Sequence, residues 1–368
     1  MKRKNKKISL TVLLLFIIIG IAAAHAAIMR SNTDKSQKIV AHFIDVGQAD
    51  STFIELPNGE TMLIDAGNPE NGPQVAEYIK SLNYDGIDYI VATHPHADHI
   101  GGMAFVISNL KTAKLYMPNV ESTSRVFENL LDTIADNGLT VKNAKKGVTI
   151  LKKRDLKIEL LAPEEKTYSN INNASAVVKI TYKNTGLLFT GDAEQTVEKS
   201  LPASDIKADI LKVGHHGANT ASSEEFINAV SPKIAVISCG KNNQYGHPSA
   251  QTLDILKNSK VKIYRTDNDG TVIVTADGNK KISVDKKKSK IKENAPPDEN
   301  SDNKNDSDNQ TGESDLDESS YDAVYVTKTG RKYHRSECTY LKSKIKTTVE
   351  KAVGDGFTPC NICKPPQH

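Results

Sequence analysis

Short apolar runs rich in β-branched residues alternate with amphipathic stretches between residues 38 and 285. The runs predict β-strands at residues 39–46, 62–64, 89–92, 176–182, 186–189, 210–213, 234–237 and 271–275. Helical periodicity lies between them at residues 74–82, 125–137, 223–230 and 250–258. No internal repeat is visible, so the alternation predicts one α/β domain in which helices cover two sheets from outside.

The N-terminus has the three parts of an export signal. Five positive charges fall in residues 1–7, an uncharged apolar run extends from Ile8 to about Ala24, and a small-residue cleavage site follows at residues 24–26. The apolar run through Met29 also reaches the roughly 20 residues that span a bilayer. Residues 1–30 are therefore either a cleaved signal peptide or an uncleaved signal anchor. Both alternatives predict a protein that is secreted, or anchored to the outer face of the cytoplasmic membrane.

Composition divides the rest of the chain. Residues 286–320 are rich in Lys and then in Asp, Asn, Ser and Glu, with almost no large apolar side chains. Such a segment buries too little surface to offset its ordering entropy, which predicts a disordered linker. Apolar and aromatic residues return in residues 321–368, which predicts a small second domain. Residues 38–285 carry a net charge of −4, so overall charge gives no argument for nucleic-acid binding by this part.

The most informative motif is H-x-H-x-D-H, formed by His94, His96, Asp98 and His99. It directly follows the predicted strand at residues 89–92, so these side chains lie on a loop at a strand end. Imidazole nitrogens combined with a carboxylate suit zinc, manganese or iron. Three of the ten His residues of the chain fall in this one motif, which indicates a metal site.

Further candidate ligands also end predicted buried strands. Asp192 follows the strand at residues 186–189, and the pair His215-His216 follows the strand at residues 210–213. Tyr245 and His247 come after the next strand. Rigid sites are built on such strand ends. For the His pair, the pattern favours one ligand and one residue that supports a ligand.

Together these motifs resemble the metallo-β-lactamase superfamily, and within it the hydrolase domains of the ComEC family of competence proteins. The resemblance covers about residues 38–280 and rests on six motifs in order. They lie at residues 43–50, 63–67, 94–99, 172–175, 215–217 and 245–248. It implies a four-layer αβ/βα sandwich with a two-metal site at one edge of the sheets. The channel helices of that family have no counterpart in this sequence, so a transport role is not implied.

The resemblance also implies roles for individual residues. His94 and His96 would bind one metal, Asp98, His99 and His215 or His216 the other, and Asp192 would bridge them. One or two ions, Zn²⁺ or Mn²⁺, would activate a water, with Asp98 counted among the catalytic residues. Tyr245 and His247 would face the substrate and protonate the leaving oxygen. Asp45, Asp65 and Asn173 are expected to support the ligands without binding metal themselves.

The sequence departs from the superfamily pattern at one position. A further His is usual between the first motif and the Gly-Asp strand, but none occurs between Ile100 and Gly214. The region contains Asn172 and Asn173 instead. Because an Asn amide is a weak neutral donor, we expect the site of His94 and His96 to hold its metal more loosely than the other site.

The C-terminal domain carries a second ligand set. His334, Cys338, Cys360 and Cys363 form H-x3-C and C-x2-C pairs at zinc spacing. One structural Zn²⁺ is expected, and the alternative is a disulfide between Cys360 and Cys363. The remaining Cys239 is expected to be buried. The domain resembles the small zinc-binding domains of Ada-type repair proteins.

These observations predict a secreted metal-dependent hydrolase, foremost a phosphodiesterase or nuclease acting on DNA. The alternatives are hydrolysis of another ester, such as a phosphocholine ester or a lactone, and a non-catalytic surface protein that binds polymer. The last 46 residues carry a net charge of +6, which suits DNA, another anionic polymer or the cell envelope. No protein partner is evident, and a monomer is expected.

Overall fold

The computed structural model describes residues 37–287, 323–327, 331–336, 338, 345–360, 363 and 365–366. The predicted export segment, and the predicted linker apart from its first two residues, lie outside the described residues. Within the described ranges, no helix has both the length and the apolar character that a bilayer crossing requires.

The first sheet contains eight strands in the order β15-β14-β1-β2-β3-β4-β5-β6. Its strands are β1 (Ile39–Phe43), β2 (Ser51–Glu55), β3 (Thr61–Ala66), β4 (Gly86–Val91), β5 (Lys111–Met117), β6 (Val141–Asn143), β14 (Thr271–Ala276) and β15 (Ile282–Lys287). Strands β3 to β6 run parallel, whereas β15, β14, β1, β2 and β3 pair antiparallel. Since β15 ends at Lys287, this sheet uses the first two residues of the segment that the sequence assigns to the linker.

The second sheet contains seven strands in the order β13-β12-β11-β10-β9-β8-β7. They are β7 (Thr149–Lys153), β8 (Leu156–Ala162), β9 (Val177–Tyr182), β10 (Thr185–Phe189), β11 (Ile210–Lys212), β12 (Ile234–Ile237) and β13 (Lys262–Arg265). Strands β10 to β13 are parallel. Their carboxyl ends therefore meet at one edge of the sheet, where α/β proteins place their sites.

Helices cover the outer face of each sheet. Their bounds are α1 (Gly72–Ser81), α2 (Ala97–Ile100), α3 (Met103–Asn109), α4 (Arg125–Asp136), α5 (Gln195–Glu198), α6 (Ala203–Ile206), α7 (Glu224–Val230), α8 (Ala250–Asn258) and α9 (Thr266–Asp269). The longest described helix, α4, is preceded by Ser124, whose hydroxyl accepts a hydrogen bond from Phe127 N and so caps the first turn. Its apolar face includes Phe127, Leu130 and Ile134, all buried.

Three apolar layers hold this arrangement together. Between the sheets, Phe43 stacks on Phe189 with ring centroids 6.0 Å apart, in a cluster that both sheets line. A second cluster joins the first sheet to α1, α3 and α4, and a third joins the second sheet to α7 and α8. The predicted four-layer αβ/βα sandwich is confirmed.

The C-terminal residues form a small separate core. Strand β16 (Ala323–Val326) pairs antiparallel with β18 (Ile345–Thr348), and β17 (Lys332–Tyr333) pairs with β19 (Thr358–Pro359). Helix α10 (Val349–Gly354) packs on them, and within the described part of this domain the apolar cluster has five buried members. Lys332 Nζ lies 3.2 Å from Asp132 Oδ2 of α4. So small a core contributes little stability by itself.

Candidate metal centre

The first pair of candidate ligands lies on the loop after β4. His94 Nε2 and His96 Nδ1 are 3.0 Å apart, so both nitrogens face one point. The other nitrogen of His94 is held between the hydroxyls of Thr93, at 3.1 Å, and Ser175, at 3.3 Å. These contacts fix the fully buried His94 ring with Nε2 directed into the site.

A second group brings both sheets together. Ligand atoms of Asp98, His99, Asp192 and His216 all lie within 4.8 Å of one another. His216 Nε2 is 3.1 Å from Asp98 Oδ2, and His99 Nε2 is 3.2 Å from Asp192 Oδ1. Helix α2, which contributes Asp98 and His99, is thereby joined to the ends of β10 and β11.

Asp192 is shared between the two groups. Its Oδ1 faces His99, whereas its Oδ2 lies 3.9 Å from His94 Nε2 and 3.7 Å from His216 Nε2. The preceding Gly191 makes this position possible. It adopts φ +53°, and a side chain there would come within 3.0 Å of Thr93. A carboxylate that lies close to ligands of both groups is suited to bridging two cations.

The donor set fits divalent metal. His99 Nε2 and Asp192 Oδ1 are buried and face each other at 3.2 Å, but within the described residues neither makes a hydrogen bond of good geometry, which is costly for polar atoms unless a cation satisfies them. Imidazole nitrogens and carboxylate oxygens are the ligands that zinc, manganese and iron accept. The predicted metal-binding character of the H-x-H-x-D-H motif is thus supported by the geometry of its side chains.

Burial and charge set the protonation of these groups. Burial opposes the charged form of His216, but Asp192 and Asp50 raise its pKa to about 10. Burial likewise opposes charge on His99, yet Asp192 and Asp65 raise its pKa well above the ordinary value. At Asp192, burial is outweighed by His99 and His216, which hold the pKa of the carboxyl well below its usual range. Asp192 is therefore ionised, and metal that binds beside it must displace protons from His99 and His216.

The acids expected to support the ligands take different positions. Asp65 adopts φ 57° at the end of β3, and its Oδ2 accepts from His99 Nδ1 at 2.7 Å. Asp45 does not do this: its carboxylate accepts from the backbone of Gly47, and Asp267 is its charged neighbour. The expected role of Asp45 in orienting a His is therefore not what the structure describes.

Several supporting residues were not predicted from the sequence, among them Asp50, Lys212 and Glu194. Asp50 forms a close ion pair with the buried Lys212, and its Oδ1 lies 3.5 Å from His216 Nδ1. Glu194 lies 3.5 Å from His215 Nδ1. Asn173, which was expected to support the site, does so through Glu194: its Oδ1 accepts from Glu194 N at 3.1 Å. Lys212, a lysine inside the apolar strand β11, was the feature of the sequence that could have indicated this buried ion pair.

A cleft of about 320 Å³ opens above these ligands. Tyr245 and His247 line it, together with His96, Asp98 and His215. Tyr245 is 61% exposed, and its ring stacks on that of His247 with centroids 5.7 Å apart. Burial, His216 and His215 lower the pKa of His247, so its imidazole is neutral near pH 7. The structure therefore brings both predicted substrate-facing residues to the rim of the site.

Asp65→Asn is expected to weaken metal binding by about 10- to 100-fold, because it removes the carboxylate that orients and polarises His99. Asp45→Asn is the matched control, since it also ends an early strand but contacts no ligand in the described residues. Competition with a chromophoric chelator measures both affinities. Equal affinities for the two variants would contradict the role given to Asp65.

The C-terminal ligands converge as their spacing predicts. Ligand atoms of His334, Cys338, Cys360 and Cys363 lie within 4.8 Å of one another. His334 Nδ1 is 3.5 Å from Cys338 Sγ and 3.9 Å from Cys363 Sγ. Among the described cysteines, Cys360 and Cys363 form no disulfide, and Cys239 is buried in the hydrolase domain. Four convergent sulfur and imidazole donors fit a structural zinc ion.

Comparisons with known proteins agree with this architecture. ComE operon protein 3 of Bacillus subtilis is 32% identical over 248 residues, which are 62% of this chain and 32% of that protein. Recombination protein 2 of Haemophilus influenzae is 30% identical over 235 residues, 63% of this chain and 28% of that protein. The chain thus spans about a third of the length of these curated relatives. They confirm the resemblance to the ComEC family.

A solved structure and a superfamily profile complete the comparison. A putative metal-dependent hydrolase from Parabacteroides distasonis is 18% identical and aligns with a TM-score of 0.42, covering 62% of this chain and 93% of that one. The profile of the Metallo-beta-lactamase superfamily matches residues 44–241, more than half of the chain. This protein belongs to the metallo-β-lactamase superfamily of metal-dependent hydrolases.

Proposed function

We propose that this chain is a phosphodiesterase that cleaves DNA with a metal-activated water. The observation that carries the proposal is Asp192, a buried acid shared by two ligand groups beneath an open cleft. Two-metal sites of this kind suit phosphodiesters, because both the attacking and the leaving oxygen carry developing charge. Similar proteins bear names that refer to competence and recombination, processes that involve DNA.

The chain's own residues divide the work. His94 and His96 would hold one ion, and Asp98, His99 and His216 would hold the other, with Asp192 shared by both sets. Zn²⁺ or Mn²⁺ bound there supplies Lewis acidity and a water that ionises near neutral pH. Asp65 orients the buried His99 ring by accepting a hydrogen bond from its Nδ1. Asp50 lies close to Nδ1 of the buried His216 and orients that ring. This leaves each Nε2 directed at the reacting centre.

Tyr245 and His247 form the rim that meets the polymer. A large, exposed ring beside a metal cleft offers a stacking surface for a nucleobase, whichever base it is. His247 is neutral and partly buried behind this ring, so it donates or accepts a hydrogen bond at the leaving side. The proposed location is the outer side of the cytoplasmic membrane, which rests on the basic and apolar pattern of residues 1–30.

Tyr245→Ala is expected to raise KM for single-stranded DNA by roughly 5- to 100-fold, since stacking on an aromatic ring contributes about 1–3 kcal/mol per base. Tyr245→Phe keeps the ring and should leave kcat and KM near wild type. Steady-state kinetics on DNA and on a small phosphodiester distinguishes base stacking by the ring from proton delivery by the hydroxyl. A large fall in kcat for the Phe variant would show instead that the hydroxyl delivers a proton.

A substrate panel tests the proposal as a whole. The full chain, stripped and reloaded with Zn²⁺ or Mn²⁺, is assayed on single- and double-stranded DNA, bis(p-nitrophenyl) phosphate, a phosphocholine ester and a lactone. We expect metal-dependent hydrolysis of DNA and of the small phosphodiester. Turnover confined to the lactone or the phosphocholine ester would place the activity in another ester class.

A further inference from the structure

The site of His94 and His96 lacks one expected protein ligand. The sequence contains no His between Ile100 and Gly214, where the superfamily pattern supplies a third imidazole. We infer that His215 provides this imidazole from the opposite side, so that the adjacent His215 and His216 bind different metals. The inference rests on the proposed function, because it assigns a ligand within the same centre.

The backbone of the turn after β11 separates the two rings. His215 and His216 are consecutive residues in the left-handed region, with φ 48° and 53°. Their ring centroids are 6.2 Å apart and the ring planes are inclined by 60°. His216 turns inward, where its Nε2 lies 3.1 Å from Asp98 Oδ2. His215 lines the cleft beside His96.

The Nε2 nitrogen of His215 faces the shared acid. His215 Nε2 is 3.7 Å from Asp192 Oδ2, an oxygen that also lies 3.9 Å from His94 Nε2 and 3.7 Å from His216 Nε2. Nitrogens of His94 and His215 thus approach one carboxylate oxygen at similar distances. His96 Nδ1, 3.0 Å from His94 Nε2, completes a set of three imidazoles and one carboxylate around this point.

Polar side chains hold the Nδ1 nitrogen of His215, as is usual for the second ring nitrogen of a metal-binding His. His215 Nδ1 lies 3.2 Å from Thr220 Oγ1 and 3.5 Å from Glu194 Oε1. Glu194 is itself fixed, since its Oε2 accepts from Asn170 Nδ2 at 2.8 Å and its backbone N donates to Asn173. A carboxylate behind one ring nitrogen sets the tautomer and leaves the other nitrogen for metal, as Asp65 does for His99.

Asn172 lies in the region where the superfamily pattern has a His, and its side chain is next to the His215 imidazole. Asn172 Nδ2 is 3.4 Å from His215 Nε2, and the buried Asn172 Oδ1 has no hydrogen-bond partner. A short amide at this position leaves room for the His215 ring to enter the site. The absence of the usual His therefore leaves the space that the His215 ring enters.

The test uses variants that keep the left-handed turn. Asn tolerates positive φ better than other residues that lack the ring, so His215→Asn and His216→Asn each remove one imidazole with little backbone strain. Metal-free melting curves verify that each variant folds. Zn²⁺ is then titrated into the full chain against a chromophoric chelator, and the cobalt(II) form is recorded by NMR to count shifted ring N–H signals.

We expect the wild-type hydrolase domain to bind two ions, in addition to the zinc of the C-terminal domain. His215→Asn should weaken one of them at least ~10-fold, the lower end of what loss of an orienting partner produces, and leave the other unchanged. Combined with His94→Ala, it should weaken no additional ion, because both residues serve the same metal. His216→Asn combined with His94→Ala should weaken both ions.

Wild-type affinity for both ions in His215→Asn, with all ring N–H signals retained, would overturn the inference. So would the loss of both ions in the His94→Ala/His215→Asn protein. Neither result affects the proposed function if DNA is still cleaved. Conversely, the expected metal pattern in a protein that hydrolyses no phosphodiester would refute the proposed function and leave the role of His215 intact.

Discussion

Asp192→Asn is expected to lower kcat/KM at least ~100-fold on both a short phosphodiester and long DNA. The substitution preserves the shape of the side chain but removes the negative charge that both ligand groups share. His94, His99 and His216 all approach this carboxylate within 4 Å. Without it, the two ions separate or one is lost, and the rate falls with the charge stabilisation that the second ion provides.

This explanation requires that Asp192→Asn lowers both the metal content of the hydrolase domain and kcat/KM. Elemental analysis of Asp192→Asn should give fewer ions per hydrolase domain, while the zinc of the C-terminal domain stays. Deletion of residues 321–368 is the contrasting change: it should weaken engagement of long DNA and leave turnover of the short substrate nearly unaltered. Near-full activity of Asp192→Asn on both substrates would refute the metal-dependent mechanism.

Removal of zinc from the C-terminal domain is expected to abolish its ordered structure altogether. Its apolar cluster has five buried members among the described residues, and small domains of this size depend on a metal to fold. Burial opposes charge on His334, but the Cys360 and Cys363 sulfurs raise its pKa to about 9. Chelation should therefore erase the dispersed NMR signals of β16 to β19 while those of the sandwich remain.

Two cysteine variants make this test specific. Cys360→Ser removes one ligand and should unfold the domain even with zinc present. Cys239→Ser changes the fourth cysteine, which is buried in the hydrolase domain, and should leave the zinc content of the C-terminal domain at one ion. A domain that stays folded under chelation, with a 2 Da mass difference on reduction, would point to the Cys360–Cys363 disulfide instead.

Several of the strands that sequence periodicity found are buried on both faces. Every residue of β10 and of β12 is buried, so each reads as an unbroken apolar run. Strands β5 and β7 are among those that were missed, because three of the first four residues of β5 are exposed and both ends of β7 are exposed. Their lysines face solvent, and the alternation of apolar and polar residues is too short to distinguish a strand from a loop.

The ligands were predictable because they cluster in sequence, whereas their supports come from distant strands. Lys212 meets Asp50 across the junction of the two sheets, a contact that no local pattern encodes. Asp45 and Asp65 both end strands in similar motifs, and only the left-handed backbone of Asp65 directs its carboxylate at His99. Likewise, the different directions of the His215 and His216 rings depend on two positive φ angles, which the amino-acid sequence of the motif does not reveal.

The most direct measurement is cleavage of end-labelled single-stranded DNA by the full chain, stripped of metal and titrated with Mn²⁺ or Zn²⁺. Asp192→Asn, purified in parallel, controls for contaminating nucleases. The account predicts no cleavage in the stripped protein, cleavage that rises to a plateau as the hydrolase domain fills with metal, and at least ~100-fold less in the variant. DNA left intact by the fully loaded protein, or cut equally well by Asp192→Asn, would contradict it.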